Sequence, residues 1–572
     1  MRLPRRRNFL FLILLAVVGA HGADAPRPEP IVLRPGTYDS IVLLPGQSLS
    51  GEGAVVRGLT LADGVTISGI TIEKTLEIRG RKDVTIKGVT VATHDATALV
   101  IVDSTVDATF ERIDVTVAGA QRVENGVSLE NVKGRVVIDG GTMRNVTKRG
   151  ISIVKTANVT LRNLSLIGSA GANGIGPAIC GNALEAGENA KCSAAIHLQE
   201  ASDIAIEKLM VEGSAQIGIN GLDVTNLTIK DAELKGTGNE LNEHALLFRN
   251  LLGQVRLENC NIHHTASRGL YVHNAGGTSS MAIVKSTFSD APGSATGQQG
   301  IAIAAAGEAK LDLRIENGTF ARTFGAGLQV DARDRSTVTV AVKGSTFDAT
   351  GGGISLTAIG ASSLAFEVMD NAVTKSAAVG INVYRGVPST GEMRGTIARN
   401  HVAAGSTAPG ACTNCDGIAV TATGSGKAFI TISDNVVQKV GNAGIRVISS
   451  GAAALAATIQ GNTLRDPLDT PPAAIRVQAG TGAADTASVC AIIGGAGDRA
   501  NTVAGAWTTP IELANRFPKT RVRLPGYAGK GTDLDAVARF VAARNRNAAV
   551  RATLTKSPEG NAFEGGEPCP SK

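Results

Sequence analysis

Residues 326–330 read AGLQV, residues 352–356 GGISL and residues 379–383 VGINV. Their glycines stand at 327, 353 and 380, so one five-residue phrase returns after 26 and then 27 positions. Outward from there it recurs as QGIAI at 299–303, RGLYV at 268–272, RGISI at 149–153 and NGVSL at 125–129. In the other direction it continues as DGIAV at 416–420 and AGIRV at 443–447. AAIHL at 194–198, HALLF at 244–248 and AAIRV at 473–477 are weaker copies. Within a copy, residues two apart are apolar (Leu270 and Val272, Ile381 and Val383) and the residue between is often polar. That alternation is the mark of a half-buried strand.

A second strand follows most copies, as in NVTLRNLSL at 158–166, LDLRIENGTF at 311–320 and FITISDNVV at 429–437. Its turn often carries asparagine: Asn163, Asn259, Asn317, Asn371, Asn400, Asn435 and Asn462. Asparagine tolerates left-handed backbone, and its amide can bond the same residue one repeat further on. Helical periodicity is nearly absent, and 69 glycines punctuate the strands. Strands that return every ~25 residues without crossover helices must stack on their own predecessors. The reading is an all-β parallel β-helix solenoid, a rod about 70–90 Å long at ~4.8 Å per coil.

The Gly-Ile-x-Val strands, the asparagine turns and the opening IVLRPGTYDSIVLLPGQSLSGEG at 31–53 resemble the right-handed parallel β-helix proteins of the pectin lyase-like superfamily, of the bacterial exported type. The resemblance covers roughly residues 30–510 and implies a right-handed, single-stranded coil. It implies no single activity, because the fold carries lyases, hydrolases, tailspikes and adhesins alike. Some enzymes of the group use an aspartate in an Asn-x-Asp-Gly-Ile setting, and Asp416 in TNCDGIAVT invites that role. Its slot holds Arg149, Arg268, Gln299, Ala326, Gly352 or Val379 in other copies, there is no Asp-Asp pair, and no histidine follows His401. Asp416 is therefore read as a repeat residue.

Residues 1–22 combine a basic head (Arg2, Arg5, Arg6, Arg7), an apolar run from Phe9 to Val18 and small residues at Ala20 and Gly22. This predicts a cleaved signal peptide, with residues 23–510 as the β-helix and 511–572 as a C-terminal cap and tail. The cap is expected to contain a helix begun by Thr532, with Leu534, Val537, Ala538 and Val541 on one face. Pro35–Gly53 is expected to cover the other end. Subtracting four leader arginines from 56 Lys+Arg leaves 52 against 50 Asp+Glu, or +2. A balanced chain with 3% aromatics gives no reason to expect nucleic-acid binding. No membrane span is expected after cleavage, and the destination is periplasmic or extracellular at the cell surface. No terminal barrel pattern is seen, so surface display would need a separate outer-membrane export partner.

Of seven cysteines, Cys180 and Cys192 bracket a polar loop, Cys412 and Cys415 form a C-x-x-C, Cys490 can reach Cys569, and Cys260 is left as a buried thiol. The C-x-x-C is read as a structural disulfide ahead of zinc or redox chemistry. No cofactor and no metal are expected; the pair His263–His264 is read as a turn.

Residues between the buried Ile/Leu and Val point outward, and stacking aligns them into a row. His197, Gln199, Asn220, Gln329, Asn382 and Tyr384 are candidate substrate-binding residues for an extended polysaccharide, which needs polar contacts along its length. The densest titratable set lies mid-row. There His273 or Tyr271 is a candidate base, Arg249 or Arg333 a candidate neutraliser of developing charge, and Asp331 a further catalytic candidate. Glu240, Glu243 and His244 lie close by in sequence. The expected function is binding of extracellular or cell-surface polysaccharide in an adhesive or structural role. The alternative is a polysaccharide lyase acting on an acidic polymer. Hydrolysis is less attractive, since it needs a second carboxylate ~5–9.5 Å from the first.

Overall fold

In the computed structural model, which describes residues 28–118, 122–169, 191–240, 242–291, 298–404, 415–555 and 562–570, a coil carries three strands, or two where one long strand such as Thr105–Thr116 runs through a corner. One coil runs Ala326–Ala332, Thr337–Lys343 and Thr346–Asp348; the next runs Gly352–Gly360, Ser363–Met369 and Ala372–Thr374. Every pairing between them is parallel and in register. The ladder built on the repeated phrase is unbroken from Leu76–Arg79 to Val550–Leu554. At ~4.8 Å per step it spans about 75 Å.

In-register stacking puts like on like. The position after the repeat glycine forms one inner column, Leu270, Ile301, Leu328, Ile354, Ile381, Ile418, Ile445, Ile475 and Ile511, each at most 1% exposed. Each such side chain contributes roughly 1.5–3 kcal/mol of burial. Phe288, Phe320 and Phe347 stack in a second column, with ring centroids 5.6 and 4.6 Å apart. The repeat glycine itself is not there for a left-handed turn. A Cβ on Gly300 would lie 2.7 Å from the carbonyl oxygen of Gly327 and 3.0 Å from the Phe320 ring. Ala195, Ala245 and Ala474 occupy the same slot, so the crowding favours glycine without requiring it.

The turn asparagines separate into two kinds. Asn371, Asn400, Asn435, Asn462, Asn501 and Asn545 form an inner ladder, in which each Oδ1 from Asn400 onward accepts from the backbone N–H and the amide of the asparagine one coil before. Asn163, Asn259 and Asn317 stand instead on corners with φ near +55°. Other corners place Asp, Lys and Arg in the same left-handed region, among them Asp231, Lys285 and Arg399.

The sequence boundaries need correction at both ends. Coils do not stop at 510: Thr509–Asn515 pairs with Ala473–Ala479, and Val550–Leu554 and Phe563–Glu564 add further rungs. The helix Leu534–Ala542 lies between Arg521–Arg523 and Val550–Leu554 in the chain, with Val537 and Val541 buried in the core. Its N-cap is Asp533, which accepts from Ala536 N, and not Thr532. Pro35–Gly53 does not form a separate cover, because Gly36–Tyr38 and Ser48–Val56 are already strands of the first coils. Val32, Val42 and Leu44 stay exposed there.

The Cys490–Cys569 disulfide joins the last coils, and Cys260 is a free, buried thiol. Cys192 and Cys415 are disulfide-bonded as well. Cys180 and Cys412, the partners expected for them, lie outside the described residues, as does the leader 1–22. Among the described residues no helix is long and apolar enough to cross a membrane.

Candidate functional site

The outward positions of the repeated strand make three parallel ladders on one face. The middle ladder, two residues after the glycine slot, runs His197, Asn220, Leu247, Tyr271, Ala302, Gln329, Ser355, Asn382, Ala419 and Arg446. The last ladder, two residues further, runs Gln199, Leu222, Arg249, His273, Ala304, Asp331, Thr357, Tyr384 and Thr421. Every candidate residue on these strands therefore belongs to one continuous face, with Arg333 just past the strand end. The third ladder is the slot before the glycine. From sequence it reads as a free position, yet it brings His244, Arg268 and Gln299 to the same face. The one signal for it in the sequence is that His, Arg and Gln fill it in three successive coils.

Burial divides this face. His197 and Asn220 are 0% exposed, so a polymer lying on the surface does not touch them. They bond each other, Asn220 Nδ2 to His197 Nδ1 at 3.4 Å. Burial, with Arg149 nearby, pulls the His197 pKa down to about 3 and holds the imidazole neutral. Beside them Cys192, Ala194, Ile217 and Leu247 form an apolar cluster separate from the main core, with Tyr271 packed against it. At the far end Ala419 is buried. Asp416 is also buried and has structural duties: it accepts from Asn442 Nδ2 (2.8 Å) and Ala443 N (3.1 Å) and pairs with Arg446.

Between these covered ends lies an open stretch, from the coil of Arg249 to that of Tyr384, about 24 Å at ~4.8 Å per step. Arg249, Tyr271, Gln299, Gln329, Ser355, Thr357, Asn382 and Tyr384 are half-buried there, and Arg333 is exposed. A side-chain relay crosses it. Arg268 Nε donates to Gln299 Oε1 (2.7 Å), Gln299 Nε2 to Gln329 Oε1 (2.9 Å), and Gln329 Nε2 to Asp331 Oδ2 (3.1 Å). Arg333 Nη2 closes the series on Asp331 Oδ2 at 2.9 Å. The Arg268 guanidinium also lies over the Tyr271 ring at 4.4 Å, and His244 meets that ring edge-on at 5.2 Å. Burial lowers the Arg268 pKa, while Tyr271 and Asp331 act in the opposite sense.

The coil of Ala302 and Ala304 is a gap in this polar face. Tyr271 and His273 rise on one side of it and Gln329 and Asp331 on the other, leaving a trough about two strand spacings, ~9.6 Å, from rim to rim. His273 is 8% exposed, and burial, then Arg249 and Arg333, keep its pKa below the ordinary histidine value. Among the described residues, its buried Nδ1 and the Nε of Arg249 have no hydrogen-bond partner. Asp331 is 7% exposed and held by Gln329 and Arg333, and neither ladder offers a second carboxylate within the open stretch.

The remaining titratable groups do other work. Glu243 accepts from the backbone of Asn239 (2.6 Å) and Glu240 (2.9 Å), and burial raises its pKa. His263 is on the short last strand of its coil, Asn261–His263, paired with Glu233 at 3.1 Å and with His264 at 2.7 Å, away from the open face. Among the described residues no three His, Cys, Asp or Glu side chains gather as metal ligands. The long repeat steps from Gly269 to Gly300 and from Gly380 to Gly417, candidate walls for a cleft, include residues 292–297 and 405–414, outside the described residues.

Residues 244–390, which include the open stretch, match the family described as "Right handed beta helix region". No curated protein matches the chain. Among solved structures, the Dettilon tailspike protein is 12% identical at a TM-score of 0.30, with 78% of this chain and 62% of that chain covered. The pre-mature bacteriophage phi29 gene product 12 is 11% identical at a TM-score of 0.22, with 85% and 69% covered. The chain thus spans about 62% of the tailspike's own length. With one parallel ladder along the whole rod and the family match centred on it, the chain is a right-handed parallel β-helix protein.

Proposed function

We propose that the open stretch binds an extended, acidic polysaccharide. The observation that carries this reading is the Arg268–Gln299–Gln329–Asp331–Arg333 relay beside a trough floored by alanines. Sugar hydroxyls need donors and acceptors repeated along a line, and the amides of Gln299, Gln329 and Asn382 supply both. Arg249, Arg268 and Arg333 outnumber Asp331 and the neighbouring Asp334, a net positive strip suited to carboxylate or sulfate groups. The basic-apolar leader supports export, which would place this face in the periplasm or at the cell surface, with a role in adhesion or cell-surface structure.

The test is affinity electrophoresis of the mature protein in gels cast with polygalacturonate, alginate, hyaluronate or dextran. Retardation by an acidic polymer, weakened by added salt and at least tenfold by Arg268→Ala, is the expected outcome. Retardation by dextran alone, or by none of the four, defeats the reading.

A second reading is favoured by His273. A neutral imidazole between Arg249 and Arg333 is suited to removing a proton beside a uronate carboxylate whose charge the guanidinium groups neutralise. Lyase action would release unsaturated sugar ends that absorb in the ultraviolet. A His273→Ala variant that still binds and no longer releases them would establish catalysis; binding with no such release leaves the protein a binder.

A further inference from the structure

We propose that Phe324 is a stacking platform for one pyranose ring of the bound polymer, with Ala326 and Gly352 as its floor; the proposal rests on the polysaccharide reading above. The phenylalanines of the core column, Phe288, Phe320 and Phe347, are at most 1% exposed, whereas Phe324 is 46% exposed. It is the one aromatic among the exposed large apolar side chains of the described residues. Nothing in the core gains from it, so its exposure is unexplained by packing.

Its position is at the edge of the open stretch. Phe324 N donates to Ala291 O (3.1 Å) and Gly325 N to Gln298 O (2.9 Å), which seats this turn against the residue preceding Gln299. The strand it enters, Ala326–Ala332, carries Gln329 and Asp331. Two glycines of the next coil differ in what they report. A Cβ on Gly351 would fall 1.9 Å from Phe324 O, so backbone crowding demands glycine there. A Cβ on Gly352 would meet nothing nearer than Val379 O at 3.4 Å, so packing leaves room for a side chain that is absent. Gly352 pairs with Ala326 in the outward ladder, and both are half-buried. Phe324 thus exposes its side chain from a turn two residues before the bare Ala326–Gly352 pair and seated on Gln298, the neighbour of Gln299. A sugar ring has an apolar C–H face and a polar rim, and this site offers a surface for the first and amides for the second.

Two variants and one reporter test it, against the same four polymers. Phe324→Ala removes the platform, and Gly352→Leu fills the floor; each is expected to weaken binding of the retarding polymer roughly threefold to tenfold. Neither is expected to move the melting temperature by more than a degree or two. Phe324→Trp is expected to bind as well as the parent and to shift its emission when polymer is added, since the chain's single native tryptophan, Trp507, is buried. Unchanged affinity in Phe324→Ala, with no emission shift in Phe324→Trp, while Arg268→Ala still loses binding, overturns the platform and spares the polysaccharide reading. No binding by the parent to any of the four overturns both.

Discussion

Replacing Asn435 by alanine interrupts the inner asparagine ladder at its middle, and the cost follows from the bonds lost. Asn435 Nδ2 donates to Ile397 O (2.9 Å) and Asn462 Oδ1 (3.0 Å). Its Oδ1 accepts from Asn400 N (2.9 Å) and Asn400 Nδ2 (3.0 Å). The Asn400 amide still reaches Val368 O, and Asn462 Oδ1 still accepts from residue 435 N, so those two groups keep a partner. The Asn400 backbone N–H keeps none, and Ile397 O loses a donor. A stranded buried group costs about 1–3 kcal/mol, so the substitution should cost about 2–5 kcal/mol. Asn259→Ala is the control, because Asn259 is an exposed corner residue whose amide bonds Asp231 at 2.7 Å. Its loss should cost about 1 kcal/mol, mainly from alanine in left-handed backbone.

A solenoid loses coils locally, so a single unfolding midpoint dilutes the effect. Native-state hydrogen exchange reads it directly. A loss of about 3 kcal/mol corresponds to exchange at Asn400 roughly 100-fold faster, while amides near Asn163 stay unchanged. Equal effects from Asn435→Ala and Asn259→Ala, or full protection at Asn400 in the first variant, would refute the view that this ladder is a principal inter-coil bond.

His197 is neutral in the fold with a pKa near 3 and would protonate near 6.5 when unfolded. Its contribution to stability is therefore full above about pH 6.5 and is lost as pH falls toward 3, a slope that His197→Gln should flatten in denaturant titrations from pH 7 to 4. Burial pushes the Cys260 thiol up to about 11. Iodoacetamide at pH 8 should label it only after denaturant is added. Arg385 is wholly buried, reaches the carbonyls of Gly360 and Ser362 at 3.3–3.4 Å, and stands between Ala358 and Ala422 in its ladder. Arg385→Met should be neutral or stabilising by about 1–3 kcal/mol in thermal unfolding. Removing the Cys490–Cys569 crosslink, which spans 79 residues, should cost at most about 4.5 kcal/mol. The loss should appear as faster exchange of Val550–Leu554 without change near Gly126.

The repeat was legible because in-register stacking makes each slot answer to the same slot above and below. A buried column rewards Ile or Leu every time, and a corner where one residue's Cβ would meet the next coil's carbonyl rewards glycine. Outward slots carry no such demand, which is why the middle and last ladders could be placed but not weighed. Alternation says that His197 and Tyr271 point the same way; it does not say that the first is covered and the second is half open. The slot before the glycine was harder still, since beyond the polar run His244, Arg268 and Gln299 it passes to Ala326 and Gly352, and the bond from Arg268 to Gln299 is what makes the run a series. At the end of the rod the signal itself fades. Pro510 takes the glycine slot of Thr509–Asn515, and Val550–Leu554 alternates half-buried and exposed residues with none fully buried, so two rungs read as a cap. The same asymmetry governs what mutation should do here. Changes to inner slots should be felt as stability along the rod. Changes to the half-buried and exposed side chains of the open stretch between Arg249 and Tyr384 should cost little stability and be felt mainly when a polymer is present, because they link neighbouring coils only through part-buried side-chain bonds.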